Sequence, residues 1–247
     1  MKLELWKKDM ISFMQDASEY ADYNLRLTEK MLPRLREDMH ICDAGSGLGY
    51  LSLALAPHVR QVTAVEINAD ASSVLSRNCQ ARGIANVVSL CGAIADVVPE
   101  KPYDAMVFCF FGRRRDILKL AREQCRGDVF VFTRNYDRHR FSAGSHRSGF
   151  EGYPEFAGEL GQLGIPVHKE TFALEFGQPF RSIEEAHRFF LLYSKDQNKD
   201  VLTEKFIRSQ LEETGRKDFP FYMPHQKHMG FLHFSAKDIP EQIPEGE

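Results

Sequence analysis

The segment from residue 40 to residue 56 constrains the fold more strongly than any other part of the chain. It reads His-Ile-Cys-Asp-Ala-Gly-Ser-Gly-Leu-Gly-Tyr and continues into an apolar run at residues 51–56. Glycines at alternate positions, Gly45, Gly47 and Gly49, allow backbone angles that a Cβ atom would penalise, and they let a ligand approach the main chain closely. The pattern predicts a strand, a tight turn and a helix, which is the arrangement of a nucleotide-binding turn.

Strand and helix patterns alternate after this turn. The predicted strands lie around Ile41 and at residues 61–66, 87–91, 105–110 and 129–133, and the predicted helices at 51–56, 69–82 and 116–124. Interleaved strands and helices indicate an α/β fold with a mostly parallel sheet covered on both faces. Ligands of such sheets bind beyond the carboxyl ends of the strands. We therefore expect a ligand site at the turn.

Other segments flank this alternation. Apolar residues at helical spacing predict helices at 3–14, 17–35, 153–163, 182–193 and 201–213, while 134–152 reads as a long polar loop and 167–176 and 230–235 as strands. We expect one domain over residues 1–247. Its predicted parts are an N-terminal helical cap (1–37), a Rossmann-like core (38–180 and 219–236) and a helical insertion before the last strand (181–218).

Two acids narrow the meaning of the turn. It reads Asp-x-Gly-x-Gly-x-Gly from Asp43, and Glu66 ends the next predicted strand. Dehydrogenases of the dinucleotide-binding type place their third glycine one residue later, where this chain has Tyr50. The pattern resembles the cofactor turn of class I, Rossmann-like S-adenosylmethionine-dependent methyltransferases. The two predicted helices before the last strand resemble insertions found in members that act on small molecules.

The resemblance implies a fold and a cofactor. The fold is a seven-stranded, mostly parallel sheet with helices on both faces and an antiparallel last strand, and the cofactor is S-adenosylmethionine. Backbone N–H groups of the glycine turn, by which we mean residues 43–49, would meet its methionyl part. Asp43 would engage its amino group, directly or through water, and Glu66 would accept hydrogen bonds from two ribose hydroxyls.

The adenine side of the site departs from the family pattern. An acid that relatives commonly carry after the third strand is missing here, and either Asp96 one turn later or the backbone near Ala93 takes its place. We expect Gly92 and Ala93 to line the adenine pocket and Ile67 to pack on the ring. Tyr23 either closes over the cofactor or packs its helix onto the sheet, and both alternatives stay open for Tyr20 as well. The predicted cofactor-binding residues are Asp43, Gly45, Ser46, Gly47, Gly49, Glu66, Ile67, Gly92, Ala93 and Tyr23.

The end of the fourth predicted strand faces the methyl acceptor in this family. Here it reads Phe-Cys-Phe-Phe-Gly and lacks the Asn/Asp-Pro-Pro-Tyr/Phe motif of enzymes that methylate amino groups of adenine, cytosine or glutamine. Its aromatic residues favour a planar or apolar acceptor, or simply fill the core. Three arginines at 113–115 oppose the dipole of the next helix, so they bind an anionic group of the substrate or form a solvated turn. The predicted substrate-binding residues are Phe110, Phe111, Arg113 and Arg134.

Methyl transfer from a sulfonium is an in-line displacement, so alignment and desolvation supply most of the effect. A general base is needed when the acceptor is a weakly acidic hydroxyl or amine, and His139 and His228 are the candidates. No metal is expected. His225 and His228 have no acid or cysteine at ligand spacing, and the five cysteines form no Cys-x-x-Cys pair and read as buried, reduced thiols.

Composition limits the class of partner. The net charge of −3 gives no general attraction to nucleic acid or to an anionic membrane, and neither a signal peptide nor an apolar run of about 20 residues is present. We expect a cytoplasmic methyltransferase with a small-molecule acceptor and no membrane partner. The alternatives are an RNA methyltransferase, favoured by basic and aromatic residues at 134–150, and a non-catalytic S-adenosylmethionine-binding regulatory protein.

Overall fold

A seven-stranded sheet organises the part of the chain that the computed structural model describes, residues 8–136, 141–144 and 152–243. The strands are β1 (His40–Ala44), β2 (Gln61–Glu66), β3 (Val87–Cys91), β4 (Tyr103–Cys109), β5 (Cys125–Arg134), β6 (Val167–Glu175), β7 (Gln178–Phe180), β8 (Glu212–Glu213), β9 (Phe221–Met223) and β10 (Gln226–Ser235). The α-helices are α1 (Lys8–Tyr20), α2 (Tyr23–Met31), α3 (Tyr50–Leu55), α4 (Ala69–Arg82), α5 (Arg114–Gln124), α6 (Tyr153–Gln162), α7 (Ile183–Tyr193) and α8 (Glu204–Ser209).

The strand order confirms the predicted fold class. It is β3-β2-β1-β4-β5-β10-β6, with β1 to β5 parallel and β10 antiparallel to both of its neighbours. The chain builds the sheet outward from β1 in one direction and then returns to add β4 on the other side of β1. The glycine turn therefore lies where the strand order reverses, which is the usual ligand position in open α/β sheets.

Two apolar clusters show that helices cover both faces of the sheet. On one face, Phe130, Phe132 and Phe231 pack with α2 and α3, and on the other, Phe108 and Phe234 pack with α5 and α6. Residues 105–108 of β4 and 129–132 of β5 are apolar and buried, as is typical of parallel strands that are covered on both faces. This rigid sheet fixes the positions of the loops at its carboxyl edge.

The N-terminal helices differ from their predicted bounds. The chain breaks at residues 21–22 and not between 14 and 17, so α1 extends to Tyr20. The reason is that the two helices bury different faces. In α1, Phe13 packs against the insertion, whereas Tyr23, Leu27 and Met31 of α2 pack on the sheet. A single periodic pattern in the sequence therefore covers two elements with different partners.

The segment between β6 and β10 contains strands as well as helices. The predicted helix at 201–213 is wrong in its bounds, because α8 covers Glu204–Ser209 and residues 212–213 form β8. Thr203 caps α8 by accepting a hydrogen bond from the Phe206 N–H at 3.2 Å. Short strands β7, β9 and β8 pair in that order into an antiparallel sheet that was not predicted.

Within the described residues, no helix is both long enough and apolar enough to span a bilayer. The predicted loop after residue 134 falls largely at 137–140 and 145–151, outside the described residues. The following helix begins where predicted. Its capping interaction is a hydrogen bond from the Gly152 N–H to Glu155 Oε2 at 2.8 Å.

Candidate functional site

The glycine turn needs its three glycines for conformational reasons. Gly45, Gly47 and Gly49 have φ angles of +73°, +56° and +77°, in the left-handed region that side chains disfavour. A Cβ atom on Gly45 would lie 2.3 Å from Phe111 Cδ2, and one on Gly49 would lie 2.4 Å from Leu75 Cδ1. The turn therefore holds main chain, the Phe111 ring and α4 closer together than any other residue type would allow.

Four N–H groups of the turn already have acceptors inside the protein. Those of Gly45 and Ser46 both donate to the Val65 carbonyl, each at 2.9 Å. The Gly47 N–H donates to Glu66 Oε2 and the Gly49 N–H to the Ser46 carbonyl, also at 2.9 Å. These bonds fix the shape of the turn. What the turn offers a ligand is thus close approach to the main chain more than a set of spare donors.

Unlike these N–H groups, the Ser46 hydroxyl has no hydrogen-bond partner among the described residues. Its Oγ atom is buried and has no hydrogen-bond partner in the described part of the chain. Leaving a buried polar group without a partner costs about 1–3 kcal/mol, so such atoms require an explanation. A polar ligand lying along the turn would supply the missing partner, and the site thus fits the cofactor that the resemblance implies.

Glu66 keeps acceptor capacity for a ligand. The side chain is buried at the end of β2, where Oε2 accepts from the Gly47 N–H and Oε1 from the Asn68 N–H, both at 2.9 Å. A carboxylate has about four acceptor positions, so two remain. Ile67 lies next to it with 46% of its surface exposed. A carboxylate that can accept from two hydroxyls therefore stands beside an exposed apolar side chain.

Asp43 is buried at the end of β1, with 1% of its surface exposed. The Ser52 hydroxyl donates to Asp43 Oδ2 at 2.5 Å. Burial raises the pKa of Asp43 to about 6; the Ser52 hydrogen bond opposes this effect and the nearby Glu66 charge adds to it. A cation near Asp43 would therefore stabilise a charge that is costly in its absence.

The adenine side is built from the ends of β2 and β3. The Gly92 N–H donates to the Glu66 carbonyl at 3.0 Å, which joins the two strand ends. Gly92 and Ala93 are half-buried, and Asp96, in a short 3₁₀ turn after them, is exposed. The structure thus brings together Glu66, Ile67 and Gly92, as the sequence predicts for the ribose and adenine positions.

The end of β4 is strained beside the turn. Phe110 has a φ of +52° and is the one non-glycine residue with positive φ among the described residues. Such conformations persist where surrounding contacts enforce them. The Phe110 N–H donates to the Phe132 carbonyl at 2.8 Å, while the Phe111 ring lies against Gly45. Of the two aromatic residues predicted to bind the substrate, Phe111 is therefore the one that touches the glycine turn.

The three arginines after β4 do not act as one cluster. Arg114 forms an ion pair with Glu159 at 2.9 Å and donates to the Glu155 carbonyl at 3.0 Å, so it ties α5 to α6. Arg113 is exposed immediately before α5, and Arg134 is half-buried at the end of β5. Arg114 therefore has a structural role, and the binding of a substrate anion by Arg113 and Arg134 stays a prediction.

The contacts of Tyr23 are those of helix packing. Its hydroxyl donates to Met229 Sδ at 3.1 Å, and its ring stacks on Phe176 with centroids 4.1 Å apart. The Tyr20 ring stacks on the ring of Tyr222 in β9, with centroids 4.8 Å apart. A role of Tyr23 over a bound cofactor stays a prediction.

The histidine candidates gain no support as bases. His139 lies outside the described residues, and His228 is exposed on β10. No group of three His, Cys, Asp or Glu side chains is arranged for a metal ion in the part of the chain that is described. His225 and His228 thus have no third ligand there.

Sequence reasoning overlooked Lys227. Its ammonium lies over the Phe110 ring, with Nζ 3.8 Å from the centroid. Alternation along β10 places Lys227 on the same face as Met229 and Phe231, both buried. The signal in the sequence was a lysine at the same alternate spacing as two apolar residues of the last strand.

Comparison with known proteins agrees with this geometry. Residues 41–127 match the methyltransferase domain family. An uncharacterized RNA methyltransferase of Synechocystis sp. is 34% identical over 95 residues, which cover 36% of this chain and 20% of that protein. This chain thus spans about a fifth of the length of that curated relative.

Two solved structures have a similar fold. The YcgJ protein of Bacillus subtilis is 15% identical with a TM-score of 0.56, and the match covers 87% of this chain and 98% of that one. A putative methyltransferase of Bacillus halodurans C-125 is 10% identical with a TM-score of 0.57, over 87% and 99% of the two chains. Together with the strand order, these two likenesses show that the chain has the class I, Rossmann-like methyltransferase fold, and residues 41–127 carry the family match.

Proposed function

We propose that this protein is an S-adenosylmethionine-dependent methyltransferase that acts on a small molecule. The observation that carries the proposal is Glu66, a buried carboxylate with two acceptor positions left, held against the glycine turn by the Gly47 N–H. Its neighbours fit the rest of the cofactor. Ser46 offers a buried hydroxyl without a partner, and Asp43 offers a charge that a cofactor ammonium would stabilise.

Each residue has a binding or aligning role in this proposal. The cofactor supplies an activated methyl group on a sulfonium when bound. Asp43 binds the amino group of the cofactor and Glu66 binds its ribose hydroxyls, and the glycine turn leaves room for the methionyl part between them. Phe110 and Phe111 shape the acceptor side and exclude water. Alignment and desolvation of this kind account for much of the catalysis of an in-line displacement.

The arrangement of α1 supports a small acceptor. Tyr50, which begins the helix after the turn, donates to Glu19 of α1 at 2.6 Å. Arg181 of the insertion pairs with Asp16 of α1 at 2.6 Å, and Phe13 packs edge-on against Phe180. Helix α1 thus contacts both the residue after the glycine turn and the insertion. In this proposal, α1 and the insertion cover the acceptor site, and such a cover suits a small molecule.

An RNA acceptor is the second candidate. The observation that favours it is the matched segment of the Synechocystis protein, whose name describes an RNA methyltransferase. The third candidate, a regulatory protein that binds the cofactor without turnover, keeps the same site.

All five cysteines are free thiols, which suits a reducing compartment, so a cytoplasmic location forms part of the proposal.

Transfer of isotope from methyl-labelled S-adenosylmethionine separates these candidates. The protein is incubated in parallel with fractionated small metabolites and with RNA. We expect label in a metabolite fraction. Label in RNA would establish the second candidate instead, and cofactor binding without label in either pool would favour the third.

Cofactor affinity is expected to fall with acidification below about pH 6. Asp43, whose pKa is about 6 in the free protein, becomes protonated there and loses its attraction for the cofactor ammonium. The loss approaches tenfold per pH unit, measured by equilibrium dialysis between pH 5 and 7. Asp43→Asn is the control and should bind weakly with a flat profile in this range. An equally steep fall in that variant would exclude Asp43 as the cause.

Replacing Arg113 by glutamine is expected to raise the KM for the acceptor about tenfold, since a hydrogen bond to a charged group contributes about 1.5–3 kcal/mol. Steady-state kinetics with the labelled metabolite fraction measures this. Lys119→Gln, at an exposed position further along α5, is the matched control. Equal KM values for both variants would leave Arg113 as part of a solvated turn.

A further inference from the structure

Three aromatic rings surround the ammonium of Lys227 at the carboxyl edge of the sheet. Nζ lies 3.8 Å from the ring centroid of Phe110, 5.0 Å from that of Phe176 and 5.1 Å from that of Tyr23. These rings come from the end of β4, the segment after β6 and the start of α2. The side chain therefore lies beside the strained strand end that faces the acceptor in the proposed function.

No Asp or Glu pairs with Lys227 within the described part of the chain. The groups facing it are Cys109 from β4, Tyr23 from α2 and Arg134 from β5. Burial lowers the pKa of Lys227 to about 8, and the Arg134 charge adds to this effect. Burial also raises the pKa of Cys109 to about 12, so that thiol remains neutral.

The nearest acid along β6 is already occupied. Glu175 accepts from the Tyr222 hydroxyl at 2.6 Å, the His225 N–H at 2.7 Å and the Gln226 side chain at 2.9 Å. It therefore anchors the turn into β10 and does not neutralise Lys227. An amine in apolar surroundings without a counter-ion is poised to lose its proton near neutral pH.

We propose that Lys227 accepts the proton of the methyl acceptor, and that the acceptor is accordingly a hydroxyl or an amine. The inference rests on the proposed function. The acceptor O–H or N–H bond breaks and its proton passes to the neutral Lys227 amine. The electron pair on the acceptor oxygen or nitrogen would form the new bond to the methyl carbon, while the carbon–sulfur bond breaks and its own electron pair stays on the sulfur of S-adenosylhomocysteine. The ammonium then returns its proton to water.

Geometry favours Lys227 over the histidines for this role. It adjoins Phe110 directly, whereas His228 is exposed and next to it on β10, so the two side chains leave opposite faces of the strand. A general base works best when it titrates near the working pH.

Direct titration of Lys227 tests the proposal without any acceptor. The protein is labelled with [ε-¹³C]lysine, and the Lys227 signal is assigned as the one absent from Lys227→Met. We expect a titration midpoint near pH 8, while the exposed Lys237, assigned through Lys237→Met, serves as reference. A midpoint for Lys227 near the ordinary lysine value of about 10.4 would overturn the proposal.

The pH dependence of methyl transfer tests the chemical role. Label transfer into the metabolite fraction is measured from pH 6 to 9.5 for wild type, Lys227→Met and Lys227→Arg, with cofactor affinity measured separately. We expect the wild-type rate to rise through about pH 8, and both variants to lose roughly a hundredfold or more in rate with unchanged cofactor affinity.

Two outcomes distinguish failure of the Lys227 proposal from failure of the proposed function. A Lys227→Arg variant that keeps the wild-type rate would show that the positive charge holds an anion, and would overturn proton acceptance. Failure of the wild type to bind S-adenosylmethionine would overturn the proposed function, and the Lys227 titration would still decide whether this amine is poised as a base.

Discussion

Replacing Glu66 by alanine is expected to weaken the binding of S-adenosylmethionine by about a hundredfold or more. Two hydrogen bonds from ribose hydroxyls to a carboxylate contribute about 1.5–3 kcal/mol each, and about 1.4 kcal/mol corresponds to tenfold in affinity. The same substitution removes the acceptor of the Gly47 and Asn68 N–H groups and so loosens the turn. Isothermal titration calorimetry measures the loss.

Two further variants make this result specific. Glu66→Gln keeps one acceptor oxygen and should show an intermediate affinity. Asp70→Ala removes an exposed acid from the first turn of α4, and its affinity should equal that of the wild type. A Glu66→Ala protein that unfolds cooperatively at the wild-type temperature and still binds the cofactor with wild-type affinity would refute the ribose role.

The substitution Gly45→Ala is expected to lower the free energy of unfolding by about 2–5 kcal/mol. A left-handed conformation costs an alanine about 1–2 kcal/mol, and overpacking against Phe111 adds about 1–3 kcal/mol. The new Cβ would lie 2.3 Å from the Phe111 ring in the absence of movement. Urea denaturation measures the change, and cofactor binding should weaken along with it because the turn shifts.

Gly83→Ala is the matched control, since Gly83 has a φ of +63° and no atom within 4 Å of the added Cβ. It should show the conformational cost alone. Adding Phe111→Ala to Gly45→Ala relieves the steric overlap, although it also removes ring packing. Equal losses in Gly45→Ala and Gly83→Ala would show that the Phe111 contact has no energetic weight.

The regular part of the fold could be predicted because local signals and tertiary packing agree there. The bounds of β2, α4 and β3 are those that the sequence predicts, and α4 has a conventional start and end. Asn68 accepts from the Ala71 N–H at 2.9 Å, and Gly83 ends the helix in the left-handed conformation. Local residues in the sequence therefore mark where α4 begins and ends.

Prediction failed where an element depends on distant partners. Residues 212–213 form a strand because they pair with Phe221 and Tyr222 of β9, which no local pattern reveals. The break after Tyr20 depends on two helix faces finding different clusters. The spacing of apolar residues within a segment does not show which other element that segment packs against.

The candidate site divides in the same way. Apart from Tyr23, the predicted cofactor residues lie in one contiguous turn and at the next two strand ends, so their spacing in the sequence brings them together. Lys227 lies on the proposed acceptor side, among residues of β4, β10, α2 and the segment after β6. Its three rings are far apart in sequence. A cluster of this kind becomes visible when the strand order is known.

Calorimetric titration of the wild-type protein with S-adenosylmethionine, repeated with NAD⁺, decides which cofactor the glycine turn binds. The Asp43–Glu66 geometry predicts one molecule of S-adenosylmethionine bound per chain, displaced by S-adenosylhomocysteine, and no binding of NAD⁺. Saturable binding of NAD⁺ together with no heat from S-adenosylmethionine would contradict it.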